Sequence, residues 1–141
     1  MKFLLYFVLL LLSGCATLDP SEEAEQVLHE MNQAYKNKEL DRFMSFVSPD
    51  YQGNRADFQL AVENDFAGFT GVEYRTSVFQ TRVDKETGIY NVSVYYYRIA
   101  RSPRYGIDNQ SGETFLTFLK NQDGLKLVNM SYPALYGLIV P

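Results

Sequence analysis

The spacing of hydrophobic residues changes once along the chain, close to residue 71. Before that point, apolar side chains recur every three or four residues, as on one face of a helix. This pattern predicts three helices that begin near Asp19, Leu40 and Asn54. The first has an acidic start with Pro20 in its first turn, and we expect Asp19 to cap it and Asn37 to end it in a left-handed conformation.

After residue 71 the period becomes two, which is typical of strands with one buried face. Four strands are predicted, over residues 72–78, 89–101, 113–120 and 125–131, with a polar loop over residues 102–112. Turns are predicted at residues 85–88 and 121–124. Three helices followed by an antiparallel meander predict an α+β fold.

The N-terminus has the pattern of a secretory signal. Lys2 precedes an unbroken apolar run over residues 3–12, and that run is half of the ~20 residues that a spanning helix needs. It ends in Leu12-Ser13-Gly14-Cys15 and resembles the lipobox of bacterial lipoproteins. The resemblance implies removal of residues 1–14 and acylation of Cys15, the only cysteine. The alternative is an ordinary signal peptide with an unrelated cysteine.

A lipidated Cys15 would make the membrane a partner of this protein. Two or more acyl chains hold a protein firmly at a bilayer. Residues 15–18 would then form a short tether to a domain over residues 19–131, in the cell envelope. By analogy with Gram-negative lipoproteins, Ala16 after the cysteine favours the outer membrane, facing the periplasm.

Composition narrows the possible chemistry. A single cysteine excludes an internal disulfide and a cysteine-based zinc site. The net charge of -4 argues against nucleic acid as a partner. His29, the only histidine, falls on the charged face of the first helix. We therefore expect no metal site, no cofactor and no histidine catalysis.

The segment over residues 34–51 carries a second resemblance. It reads Ala-Tyr-Lys-Asn-Lys-Glu-Leu-Asp-Arg-Phe-Met-Ser-Phe-Val-Ser-Pro-Asp-Tyr and is similar to the corresponding part of the nuclear transport factor 2-like (NTF2-like, SnoaL-like) superfamily. The resemblance implies three helices packed on a curved antiparallel sheet, which together form a cone. That superfamily includes isomerases, dehydratases, transport adaptors and binding modules, so it implies a fold more than an activity.

Enzymes of this superfamily keep an acid, a histidine or a tyrosine inside the cone. In this chain, the acids of the strand region fall at strand ends or in turns: Glu73, Asp84, Glu86, Glu113 and Asp123. We therefore expect no catalytic residue and favour a non-catalytic binding or interaction module. The alternatives are an isomerase- or dehydratase-type enzyme that uses tyrosines as hydrogen-bond donors, and a structural subunit of an envelope complex.

The chain is rich in tyrosine, with 11 in total. Four are expected to point into the cone, where they could line a pocket for a small apolar ligand or simply pack in the core: Tyr35, Tyr74, Tyr90 and Tyr96. Tyr95 and Tyr97 are expected on the outer face of the sheet, where they could form a homodimer interface.

Two further segments carry candidate functions. Arg98, Arg101 and Arg104 lie close together in sequence and could bind an anion or form a solvated loop. Residues 132–141 are strongly apolar, and if they were exposed they would form a hydrophobic surface prone to association. We expect this tail to dock on the body, over the mouth of the cone, or to await a partner.

Overall fold

The computed structural model describes residues 17–139. The predicted signal peptide, the lipobox-like segment and Cys15 lie outside the described residues, as do Val140 and Pro141. The order of elements is α1 (Pro20–Lys36), α2 (Leu40–Ser45), α3 (Arg55–Gly68), β1 (Gly71–Asp84), β2 (Ile89–Ser102), β3 (Gly106–Asn121) and β4 (Gly124–Met130). The three predicted helices and four predicted strands are thus confirmed in type and order.

The helix ends follow local hydrogen-bond chemistry. Asn54 caps α3, since its Oδ1 accepts the backbone N–H of Asp57 at 3.1 Å. Two expectations were wrong. Asp19 makes no side-chain cap to α1, and the left-handed residue after α1 is Lys38 (φ 55°) rather than Asn37. Lys38 is held there by bonds at both ends, from its N–H to the Tyr35 carbonyl and from its Nζ to the Phe69 carbonyl.

The four strands form one antiparallel sheet in the order β1-β2-β3-β4. β1 is longer than predicted and continues past a register shift between Val78 and Gln80. This shift is the kind of irregularity that bends a strand and turns a side chain to the other face. Phe79, at the shift, is accordingly exposed.

The predicted loop over residues 102–112 is wrong for most of its length. β2 runs on to Ser102, and β3 begins at Gly106 and pairs with β2 residue by residue as far as Leu119. The side chains of residues 106–113 are exposed, so neither face shows the alternation that marks a half-buried strand. This segment is held in the sheet by its backbone hydrogen bonds to β2 rather than by burial of its side chains.

The helices cover one face of the sheet, and the core lies between the two layers. Its largest fully buried side chains include Tyr35, Phe43, Phe118 and Tyr136. The fold is therefore α+β, with three helices packed on a four-stranded open antiparallel sheet. Within residues 17–139, none of the helices has the length and apolar character required to cross a bilayer.

Candidate functional site

A carboxylate lies inside the cone, on a helix rather than on a strand. Asp65 in α3 has no exposed surface, and the hydroxyl of Tyr35 in α1 donates a hydrogen bond to its Oδ2. The expectation of a cone without an internal acid, which rested on the strands alone, is therefore wrong. Asp65 lies four residues after Ala61 and seven after Phe58, so its place on the apolar stripe of α3 was the signal that could have identified it.

The C-terminal tail closes on this carboxylate. The backbone N–H groups of Leu138 and Ile139 donate to Oδ2 and Oδ1 of Asp65, each at 2.8 Å. The N–H of Gly137 donates to the Tyr35 hydroxyl oxygen at 3.1 Å. Three consecutive tail amides are thus bonded to the Tyr35–Asp65 pair.

Tyr136 fills the space above the pair. Its ring centroid lies 5.2 Å from that of Tyr35, 5.0 Å from that of Phe43 and 5.0 Å from that of Tyr74. Its hydroxyl donates to Oδ1 of Asn32 at 2.6 Å, and the Asn32 amide in turn donates to Thr76 at 2.9 Å. Tyr136 is 1% exposed, so a side chain of the tail occupies the interior of the cone.

The electrostatics of the interior are set mainly by burial. Burial raises the pKa of Asp65, although the N–H of Leu138, the Tyr35 hydroxyl and the positive charge of Arg98 act in the opposite direction. Burial also raises the pKa of Tyr74, opposed by Arg98. Within the described part of the chain, the Tyr74 hydroxyl and the Nε of Arg98 have no hydrogen-bond partner. The interior therefore holds a carboxylate, a guanidinium and several neutral phenols.

The four tyrosines expected inside the cone are all buried, but they are not one group. Tyr35 and Tyr74 touch edge to face, with ring centroids 5.4 Å apart. Tyr90 instead donates to Glu23 in the first turn of α1 at 3.0 Å, and Lys120 binds the same carboxylate. Tyr96 lies beneath Gly112. The tyrosines at the carboxylate are thus Tyr35, Tyr74 and Tyr136, and the last of these belongs to the apolar tail.

Of the other charged candidates, Arg98 is buried and its charge acts on Asp65, whereas His29, Arg101 and Arg104 are exposed. His29 is exposed and lines a groove of about 670 Å³ between α1 and β1, together with Glu25 and Arg75. Arg98 is buried and bonds Gln110, whereas Arg101 pairs with Glu73 at 3.5 Å and Arg104 lies over the Tyr105 ring. The three arginines therefore serve three different partners. Over residues 17–139, no group of three or more His, Cys, Asp or Glu side chains is placed to hold a metal.

The outer face of the sheet carries exposed aromatic side chains. Tyr95 is 48% exposed and Tyr97 38% exposed, and Phe115 lies on the neighbouring strand. The ring of Phe79 stacks on that of Tyr95, with centroids 4.2 Å apart. We call Phe79, Tyr95, Tyr97 and Phe115 the outer aromatic patch.

Comparison with solved structures identifies the architecture. A candidate scytalone dehydratase from Novosphingobium aromaticivorans has a TM-score of 0.68 and 17% identity, over 77% of this chain and 79% of that one. A candidate dehydratase of the NTF2-like family from Streptomyces avermitilis has a TM-score of 0.63 and 12% identity, over 77% of this chain and 92% of that one. An NTF2-like protein of unknown function from Shewanella oneidensis has a TM-score of 0.61 and 13% identity, over 79% of this chain and 97% of that one.

The comparisons by sequence identify no relative. The chain matches no protein-family model and no curated protein. Identities of 12–17% to the solved structures concern the fold alone. The fold of this chain is the cone of NTF2-like proteins.

Proposed function

We propose that this protein is an envelope lipoprotein whose NTF2-like domain is a non-catalytic binding or interaction module. The observation that carries the non-catalytic role is the hydrogen bonding of the Asp65 carboxylate. Both of its oxygens accept hydrogen bonds, from Tyr35 and from two backbone amides of the tail. A general base needs a free acceptor within reach of a substrate proton, and here the chain's own tail takes that position.

The proposed anchor is Cys15, with acyl chains in the membrane and residues 15–18 as the tether to the domain. The lipobox resemblance of Leu12-Ser13-Gly14-Cys15 supports it. A fully extended chain reaches at most ~3.6 Å per residue. A tether as short as residues 15–18 would therefore keep the domain close to the bilayer. Ala16 supports outer-membrane placement on the periplasmic side.

The anchor is tested by labelling cells with an alkyne fatty acid and fractionating them. We expect the wild-type chain to take up label and to sediment with membranes, whereas Cys15→Ala should do neither. A Ser13→Ala control keeps a small residue in the lipobox and should leave both readouts unchanged. Membrane association and labelling that survive Cys15→Ala would overturn the lipoprotein proposal.

A dehydratase- or isomerase-type enzyme is the second candidate. The observation that favours it is a buried carboxylate beside two phenols and a guanidinium, in a fold shared with candidate dehydratases. In this case the tail would have to leave before a substrate could enter. Turnover of small hydroxylated carbonyl compounds by a chain lacking residues 134–141, abolished by Asp65→Asn, would favour the enzyme over the binding module.

The outer aromatic patch supports a further part of the proposal, a homodimer formed through the sheet. Aromatic side chains on an exposed sheet face are commoner at interfaces than on free surface. The structural-subunit alternative uses the same patch for a different protein. The oligomeric state separates these two versions.

A further inference from the structure

The tail contacts the cone as a bound peptide contacts a receptor. Each residue from Tyr136 to Ile139 makes one hydrogen bond to a side chain of the cone: a phenol hydroxyl to Asn32, then three successive backbone N–H groups to Tyr35 and Asp65. Main-chain bonds of this kind give affinity to an extended segment, and pockets for its side chains give specificity.

The contacts select particular residues in the bound segment. Tyr136 is bound by its ring and by its hydroxyl, and Leu135 beside it is fully buried. Gly137 has φ 73°, and a Cβ there would lie 3.2 Å from the Cβ of Ala61 and 3.3 Å from the Phe58 ring. The site therefore favours an aliphatic residue, tyrosine, glycine and further aliphatic residues in that order.

This segment is joined to the domain by a short exposed link. β4 ends at Met130, and the residues that follow, 131–133, are exposed, with Tyr132 96% exposed. One side chain of the sheet anchors the link, as Thr114 donates to the carbonyl oxygen of Pro133 at 2.9 Å. Attachment through such a link gives the tail a high effective concentration at its own site, so a free segment of the same sequence competes poorly while the tail is bound.

We infer that the interior of the cone is a peptide-binding site for a Tyr-Gly-aliphatic segment, filled in cis by residues 135–139 and able to accept the same segment from a second copy of this chain. The inference deepens the proposed function, on which it rests, because it gives the binding module a ligand class. Exchange of a terminal segment between identical chains needs no new contact, since each contact in the swapped form already exists within one chain.

The test cuts the covalent link between the tail and the domain after the full chain has folded. A protease recognition sequence is inserted between Ser131 and Tyr132 of the full chain, which is then cleaved. A fluorescent peptide with the sequence of residues 132–141 is the probe, and anisotropy measures its binding. We expect saturable binding to the cleaved chain, competition by unlabelled peptide, and little binding to the uncleaved chain.

Matched peptides test the specificity. Peptides with Tyr136→Phe or Gly137→Ala should bind about tenfold more weakly or worse. The first loses a buried hydrogen bond, and the second takes an unfavourable positive φ and a tight contact with Ala61 and Phe58. A peptide with Tyr132→Phe should bind like the original, since Tyr132 is exposed. Equal binding of all four peptides, or no binding of any, would overturn the inference.

A second measurement covers a cleaved chain that unfolds when its tail leaves. The melting temperature of the cleaved chain should then rise with the concentration of the original peptide, as for any ligand that binds only the folded state. A melting temperature independent of peptide concentration would overturn the inference. Neither readout involves Cys15 or the membrane, so failure here leaves the result at the anchor unaffected, and failure at the anchor leaves this result unaffected.

Discussion

The carboxylate of Asp65 accepts the backbone N–H of Leu138 at 2.8 Å, across 73 residues of chain. Without the tail, Asp65 would keep only the Tyr35 hydroxyl among its present donors. Without Asp65, the amides of Leu138 and Ile139 would lose their acceptor. Helix α3 and the C-terminal tail therefore depend on each other, because an unpaired buried polar group costs more than a hydrogen bond gains.

The pH dependence of stability should report the state of Asp65. Burial raises the pKa of this carboxyl, so the folded chain holds its proton to a higher pH than the unfolded chain does. The contribution of the group is then largest below the ordinary aspartate pKa of about 3.9 and is lost as the pH rises through the raised value. We expect the free energy of unfolding of the wild type, minus that of Asp65→Asn, to increase on acidification from about pH 7 to about pH 4.

Urea unfolding of both proteins across that range makes the measurement. Glu63→Gln is the matched control, because Glu63 is an exposed carboxylate in the same helix, and its difference from the wild type should not follow this trend. A wild-type advantage over Asp65→Asn that stayed level or shrank on acidification would contradict the assigned environment of Asp65.

Removal of one oxygen from the tail should destabilise the domain. Tyr136→Phe keeps the ring contacts but leaves Oδ1 of buried Asn32 without its donor, which should cost about 1–3 kcal/mol of unfolding free energy. Tyr132→Phe removes the same atom from an exposed ring and should change stability by less than about 0.5 kcal/mol. Equal thermal and chemical unfolding of the two variants would show that the Tyr136–Asn32 bond contributes nothing to stability.

The helices and most of the sheet could be predicted because their buried side chains recur with a regular period, every three or four residues in the helices and every second residue in the strands. Residues 106–112 gave no such signal, since their side chains are exposed and only the ladder with β2 holds them in a strand. The candidate site was harder to predict. Asp65 follows the helical phase of Ala61 and Phe58, but two of its three hydrogen-bond donors are tail amides more than 70 positions later in the chain, which no local pattern predicts.

Gly137, the glycine of the tail, should tolerate a side chain poorly. Its φ of 73° is unfavourable for other residues, and an added Cβ would meet Ala61 and Phe58. We expect Gly137→Ala to lower the free energy of unfolding by more than about 1 kcal/mol. Gly71→Ala is the control, because a Cβ there meets nothing within 4 Å. A Gly137→Ala protein as stable as the Gly71→Ala protein would mean that the tail does not pack against α3 as described.

The outer aromatic patch gives a prediction on assembly. Tyr95 and Tyr97 lie on β2, near the middle of the sheet, and Arg75 on β1 and Glu113 on β3 flank them. In a face-to-face pair related by a two-fold axis along the strands, β1 of one copy faces β3 of the other, so Arg75 and Glu113 would lie on facing strands, two residues apart along them. Such an arrangement buries aromatic surface and matches opposite charges at its edges.

Replacement of both tyrosines, Tyr95→Ser with Tyr97→Ser, should therefore raise the Kd of the dimer by about tenfold or more, measured by sedimentation velocity over a dilution series. Tyr105→Ser is the control, because Tyr105 is 80% exposed and lies between β2 and β3, away from the patch; it should leave the Kd unchanged. Circular dichroism of each variant checks that the fold is retained. A wild-type domain that is monomeric at the highest concentration measured, or a double variant with the wild-type Kd, would exclude the patch as the dimer interface.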